Sequence, residues 1–125
     1  MFEERTIPVM AYNIYNILAE KIETILARNV VNSRARDFYD AYILLALNKD
    51  TLSRTDLLHA LQVKAAERNS MSMFEDHVKH LKNIAESPDI AKIWENYSKK
   101  YPYAKGIALM DVISLIGWVF GINVY

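Results

Sequence analysis

The stretch SRARDFYDAYILLAL, residues 33–47, constrains the fold of this chain more than any other. Arg34, Arg36, Asp37 and Asp40 crowd its first half, and from Ala41 to Leu47 the one polar group is the hydroxyl of Tyr42. A helix through Ala41–Leu47 is apolar on every side, so the pattern predicts the central, most buried element of a core. Charges at the mouth of such an element must be neutralised by partners or used for chemistry.

Asp37 and Asp40 are three residues apart and share one helical face, which continues as Ala41, Leu44 and Leu47. Both acids fall near the start of the helix, where its dipole favours negative charge. In the preceding segment, Ile14, Ile17, Leu18 and Ile25 recur at helical spacing, and Lys21 falls in the middle of their stripe. Arg28 lies two turns further along the same face, while Glu20 and Glu23 are expected on the wet side. A lysine in a core-facing row either snorkels to water or meets an anion. A short connection makes the two helices antiparallel neighbours. With a suitable offset, Lys21 and Arg28 then meet Asp37 and Asp40 in one partly buried cluster. That cluster has two readings: a structural ion-pair network locking two helices, or a site for a polyanion in which Lys and Arg take phosphates.

The remaining punctuation predicts an all-α fold of about six helices in one domain, residues 1–125, after a short extended N-terminal segment. Only three Gly and three Pro occur in 125 residues, and apolar residues recur at helical spacing. TIPVMAY, residues 6–12, reads as a brief strand or arm interrupted by Pro8. Helix one is expected from Asn13 as N-cap to about Arg28, and helix two from about Arg34 to Leu47. Ser53 followed by Asp56 caps a third, to about Arg68, and Ser72 with Glu75 a fourth, to about Glu86. Ser87-Pro88-Asp89 opens a fifth, to about Lys99, and a sixth follows Tyr101-Pro102 to about Phe120.

Fifteen basic and fifteen acidic residues balance, so the global electrostatic footprint of a nucleic-acid or anionic-membrane binder is missing. The absence of Cys removes disulfides, thiolate metal sites and a cysteine nucleophile, in keeping with a cytoplasmic protein. The first residues are charged where a secretory signal would be apolar. The final IALMDVISLIGWVFGINVY approaches the length of a membrane span, with Gly117 and Gly121 at GxxxG spacing, but Asp111 interrupts it; a buried last helix is expected, and no membrane. His77 and His80 are three apart without an obvious third ligand, so no metal site is expected there. Tyr12, Tyr15, Tyr39 and Tyr42 fit the helical core pattern. KKYPYAK sets Lys99, Lys100 and Lys105 around aromatics, a weak nucleic-acid-like patch that a solvated loop explains equally well.

YNIYNILAEKIETILAR followed by RARDFYDAY resembles paired motifs of AbiEii-type nucleotidyltransferase toxins, of type IV toxin–antitoxin or abortive-infection (phage-defence) systems. The family pattern is an Ala-Glu-Lys on one helix, an Arg at its end, and Arg-x-Lys-Asp-x-x-Asp opening the next. It maps onto Ala19, Glu20 and Lys21, then Arg28, then Arg34, Arg36, Asp37 and Asp40, with Arg36 standing where lysine is common. The resemblance implies nucleotide binding by Lys21, Arg28, Arg34 and Arg36, and a catalytic role for Asp37 supported by Asp40. It implies Mg2+ and a nucleoside triphosphate as cofactors of the full-length enzyme, with none for this chain alone, and a nucleotide, tRNA and a cognate antitoxin as partners. The close match covers Thr6 to Leu47.

The superfamily also needs a Gly-Ser turn to grip phosphate and an Asp-x-Asp/Glu pair for divalent metals. Neither occurs here: Gly106, Gly117 and Gly121 precede Ile, Trp and Ile, and no Asp is followed two residues on by an acid. The chain therefore resembles the C-terminal helical half of such an enzyme, lacking the catalytic sheet, and on its own is expected not to transfer nucleotides. Missing its sheet, it should expose apolar surface and self-associate into a homo-oligomer. The alternative is a non-catalytic helical interaction module of antitoxin or immunity type.

Overall fold

The computed structural model describes residues 9–28 and 34–122, with side chains from Ile14 onward. Among these residues the fold is all-α: α1 (Val9–Ala27), α2 (Ala35–Asn48), α3 (Arg54–Glu67), α4 (Met71–Glu75), α5 (His77–Glu86), α6 (Pro88–Lys100) and α7 (Leu109–Phe120), with a 3-10 turn at Pro102–Ala104. α1 starts at Val9, so Asn13 is internal rather than an N-cap, and Val9–Tyr12 are helical rather than extended. Met10 and Ala11 are strong helix formers, and adding residues to an existing helix is easy once its nucleus stands. Thr6–Pro8 lie outside the described residues.

Three polar contacts set the register of the first three helices. Near the start of α1, the Tyr15 hydroxyl accepts the backbone N–H of Ser53 at 2.9 Å, just beyond the end of α2. Towards the end of α1, Lys21 reaches Asp40 in α2 at 3.2 Å. Arg68, at the end of α3, meets Glu20 and Glu23. Helices α1 and α2 are therefore antiparallel, and α3 returns parallel to α1. Ser53 caps α3 by accepting the Asp56 N–H at 3.2 Å, and Ser87 caps α6 through the Ile90 N–H at 3.2 Å with Pro88 at N1, both as the sequence predicts.

Leu18, Ile22 and Leu26 of α1 meet Phe38, Ala41 and Leu45 of α2 and Leu57 and Leu61 of α3 in one core, closed by α7. α1 and α7 are more deeply buried than α2, and α7 seals Val112, Ile113, Ile116, Gly117 and Val119. α2 is buried on one side only: Ile43 and Leu44 are half-covered and Leu47 is 77% exposed. The all-round apolar pattern predicts the most buried element of the core, and α2 is not that: among the described residues its side carrying Ala46 and Leu47 is open.

The predicted fourth helix is two. α4 ends at Asp76, and the His77 ring turns back so that Nδ1 lies 2.9 Å from the Phe74 carbonyl, occupying an acceptor that a continuous helix would use. The ring also stacks on Phe120 at 4.1 Å. Ser72 is inside α4, so its expected capping box is not made; Ser70 is the N-cap residue. The predicted last helix begins later, at Leu109, where Asp111 accepts the Ala108 N–H at 3.0 Å. No helix among the described residues is long and apolar enough to cross a membrane; α7 is about 18 Å long at 1.5 Å per residue. Gly117 packs inside the core, and Gly121 (φ 74°) ends α7 in a Schellman turn: its N–H bonds the Trp118 carbonyl and that of Ile122 the Gly117 carbonyl, each at 3.0 Å.

Glu23 overturns the expectation of a wet position. It is 4% exposed; Arg68 Nη1 donates to it at 2.7 Å and the Ser70 hydroxyl at 3.0 Å. Its place four residues after Ala19 and three before Leu26, both buried, is the sequence signal that could have located it. Removing one partner of a buried ion pair leaves an uncompensated charge. Arg68→Met is therefore expected to destabilise the fold by about 3 kcal/mol in denaturant melts, whereas an unchanged midpoint would mean that Ser70 and water satisfy Glu23 alone. Gly121→Ala, which forces a Cβ into the left-handed region, is expected to lower stability by about 1 kcal/mol, measured the same way.

Candidate functional site

α1 carries Lys21 on the edge of its buried face, and α2 carries Asp37 in its first turn and Asp40 one turn on. The antiparallel register brings the three together. Lys21 Nζ lies 3.2 Å from Asp40 Oδ2 and 3.7 Å from Asp37 Oδ1. Arg36 adds a second cation, with Nε 3.7 Å from Asp40 Oδ2. The side chains of Lys21, Asp37 and Asp40 are 30%, 18% and 27% exposed, so the cluster is partly sheltered and still open to a ligand. Arg36 extends outward. Arg34 is the exposed N-cap residue of α2, and Arg28 is half-buried just beyond the end of α1. The predicted site residues thus fall into a paired quartet, Lys21, Arg36, Asp37 and Asp40, with Arg28 and Arg34 at the ends of the helices.

An ammonium carries three N–H donors; Lys21 hydrogen-bonds Asp40 and lies in ion-pair range of Asp37, which leaves donor capacity for a further acceptor. The cluster has two formal charges of each sign, so it does not form a bare cationic cradle. What it fixes is the position of one ammonium, held between two acids on the neighbouring helix. Among the described residues no group of three or more His, Cys, Asp or Glu converges as a metal site, and Asp37 and Asp40 turn oxygens toward Lys21. Both carboxylates of the cluster are thus engaged by Lys21.

The cluster has an aromatic neighbour that the sequence reading missed. Tyr39, beside Asp40, packs against Tyr103 and Tyr97 with centroids 4.8 and 6.2 Å away. Burial raises the Tyr97 hydroxyl well above the ordinary tyrosine range, aided by its 2.9 Å hydrogen bond to Tyr103 and by the charge of Asp40, while Arg36 acts in the opposite sense. The segment KKYPYAK, for which the sequence leaves a weak nucleic-acid-like patch and a solvated loop equally open, reaches the neighbourhood of the quartet through Tyr103 against Tyr39. The signal was weak, because only tertiary packing joins residues 39 and 103. A groove of about 450 Å³ lies between α1 and α3, lined by Tyr15, His59, Val63 and Lys64 among others, and contains none of the quartet.

Comparison with known proteins places this geometry in a family. No curated protein matches the chain, and no solved structure does. The family profile described as "Nucleotidyl transferase AbiEii toxin, Type IV TA system" matches residues 1–112, nearly all of the described helices, including the quartet. The chain belongs to the AbiEii nucleotidyl transferase toxin family of type IV toxin–antitoxin systems.

Proposed function

We propose that this chain is the helical half of a nucleotidyltransferase toxin, presenting Lys21 to the phosphates of a nucleoside triphosphate. Asp37 and Asp40 hold that lysine and are required for transfer. The single observation that carries the reading is the 3.2 and 3.7 Å contacts of Lys21 with two acids on the next helix, at the positions the family motif marks. A phosphate oxygen approaching the outer side of the ammonium takes a remaining donor without displacing Asp40, forming a charge-assisted bond. Arg36, already outward, supplies a second contact, and Arg28 and Arg34 extend the cationic edge. The Gly-Ser grip and the Asp-x-Asp pair must come from residues this chain lacks, so alone it is inactive.

The surface beside the quartet supports an incomplete site. Ile17 lies one turn before Lys21 and Leu47 two turns after Asp40, and both are exposed. The remainder of the enzyme covers this apolar shoulder, and the isolated chain self-associates through it. The same shoulder favours a second reading, a non-catalytic interaction module whose partner is a cognate antitoxin. In-frame coding sequence upstream of Met1 that supplies Gly-Ser and Asp-x-Asp establishes the first; its absence leaves the second.

In the complete protein, Lys21→Ala or Asp37→Ala is expected to reduce nucleotide transfer at least about 100-fold, the scale of losing one preorganised transition-state contact. Because the pairs are partly exposed, stability should change by no more than about 1 kcal/mol. Radiolabel transfer and thermal melts on the same preparations check both halves. Variants that unfold while the parent does not would return the quartet to a structural role.

A further inference from the structure

Four tyrosines from separate parts of the chain meet beside the quartet. Tyr39 comes from α2, Tyr97 from α6, Tyr101 from the end of α6, and Tyr103 from the 3-10 turn. Tyr103 lies 4.8 Å from Tyr39 and 5.4 Å from Tyr101, centroid to centroid, and its hydroxyl is 2.9 Å from that of Tyr97. Three rings and a hydrogen bond therefore fix its side chain, and buried Ala104 anchors the turn that carries it. Yet Tyr103 is 53% exposed. A corner that merely needed filling would bury this ring or leave it loose. Here a ring held by its neighbours leaves about half of the residue open to solvent, so little side-chain freedom is lost when a ligand packs on it. Lys100 stands 5.4 Å from the Tyr101 centroid, adding a cation to the aromatic edge. Tyr39 immediately precedes Asp40 and follows Arg36 by one turn, so the aromatic wall begins where the charges end.

We propose that Tyr103, backed by Tyr39 and Tyr97, is a stacking platform for a nucleobase whose phosphates lie at Lys21 and Arg36. The inference rests on the phosphate role of Lys21 and adds the base subsite to it. Every base offers a π-face, so a single tyrosine platform binds nucleobases without selecting among them. The base comes either from the mononucleotide or from a single-stranded RNA end.

The test titrates the 125-residue chain, followed by two-dimensional NMR, with a nucleoside triphosphate, a single-stranded RNA tetranucleotide and inorganic tripolyphosphate. Tyr103→Ala should weaken binding of the triphosphate or of the tetranucleotide about tenfold, and whichever shows the loss names the source of the base. Tyr103→Phe, which keeps the ring, should stay within about twofold of the parent. Tripolyphosphate binding should be indifferent to Tyr103→Ala and weakened by Lys21→Ala. Base-bearing probes that bind Tyr103→Ala as well as the parent, or that bind the parent no better than tripolyphosphate, overturn the platform. Tripolyphosphate binding that ignores Lys21→Ala overturns the phosphate role on which it rests. A melt of each variant guards against misfolding; the exposed position of Tyr103 leads us to expect little change.

Discussion

The arrangement of the first three helices depends on one awkward residue. Lys21 lies at the margin of the buried face of α1, where a bare ammonium is costly. The nearest anions stand at the start of α2, where the helix dipole favours them, and the two helices adopt the offset that brings Lys21 within 3.2 Å of Asp40. Once that hairpin is set, α3 returns along α1 with Ser53 donating to Tyr15 at one end and Arg68 meeting Glu23 at the other. Exposed or half-exposed polar pairs contribute at most about 1 kcal/mol each. Cohesion comes from the apolar core, and the polar contacts select one register among those the core would tolerate.

Two ion clusters on α1 make the contrast between structure and site concrete. Glu23 is sealed, and its partners Arg68 and Ser70 address both carboxylate oxygens. It has the character of a lock. Lys21 is paired with two acids and remains 30% exposed. This pairing orients a cation without sealing it from solvent.

How much of this was legible in the sequence varies with the range of the cause. Some local causes are legible, namely the caps at Ser53 and Ser87 and the pairing of Lys21 with Asp37 and Asp40, whereas the expected caps at Asn13 and Ser72 are not made. Glu23 was misread because the apolar stripe of α1 was drawn through Ile14 and Ile17, whereas the packed face runs through Leu18, Ala19, Ile22 and Leu26. The outward roll of α2 was invisible, since an apolar run shows that a face needs cover and not whether this chain supplies it. The break at Asp76 accompanies the contacts of His77 with the Phe74 carbonyl and the Phe120 ring, and the second of these joins residues far apart in the sequence. The tyrosine wall failed for the same reason: residues 39, 97 and 103 become neighbours only after α6 packs on α2.

The family assignment joins these observations to a chemistry, and the position of one ammonium carries the connection. The most direct measurement is a crystal structure of the complete protein with a non-hydrolysable nucleoside triphosphate. The account predicts a phosphate oxygen within about 3 Å of Lys21 Nζ, with Asp37 and Asp40 still bracketing the lysine. Phosphates bound elsewhere, with the Lys21 pair undisturbed and remote from them, would contradict it.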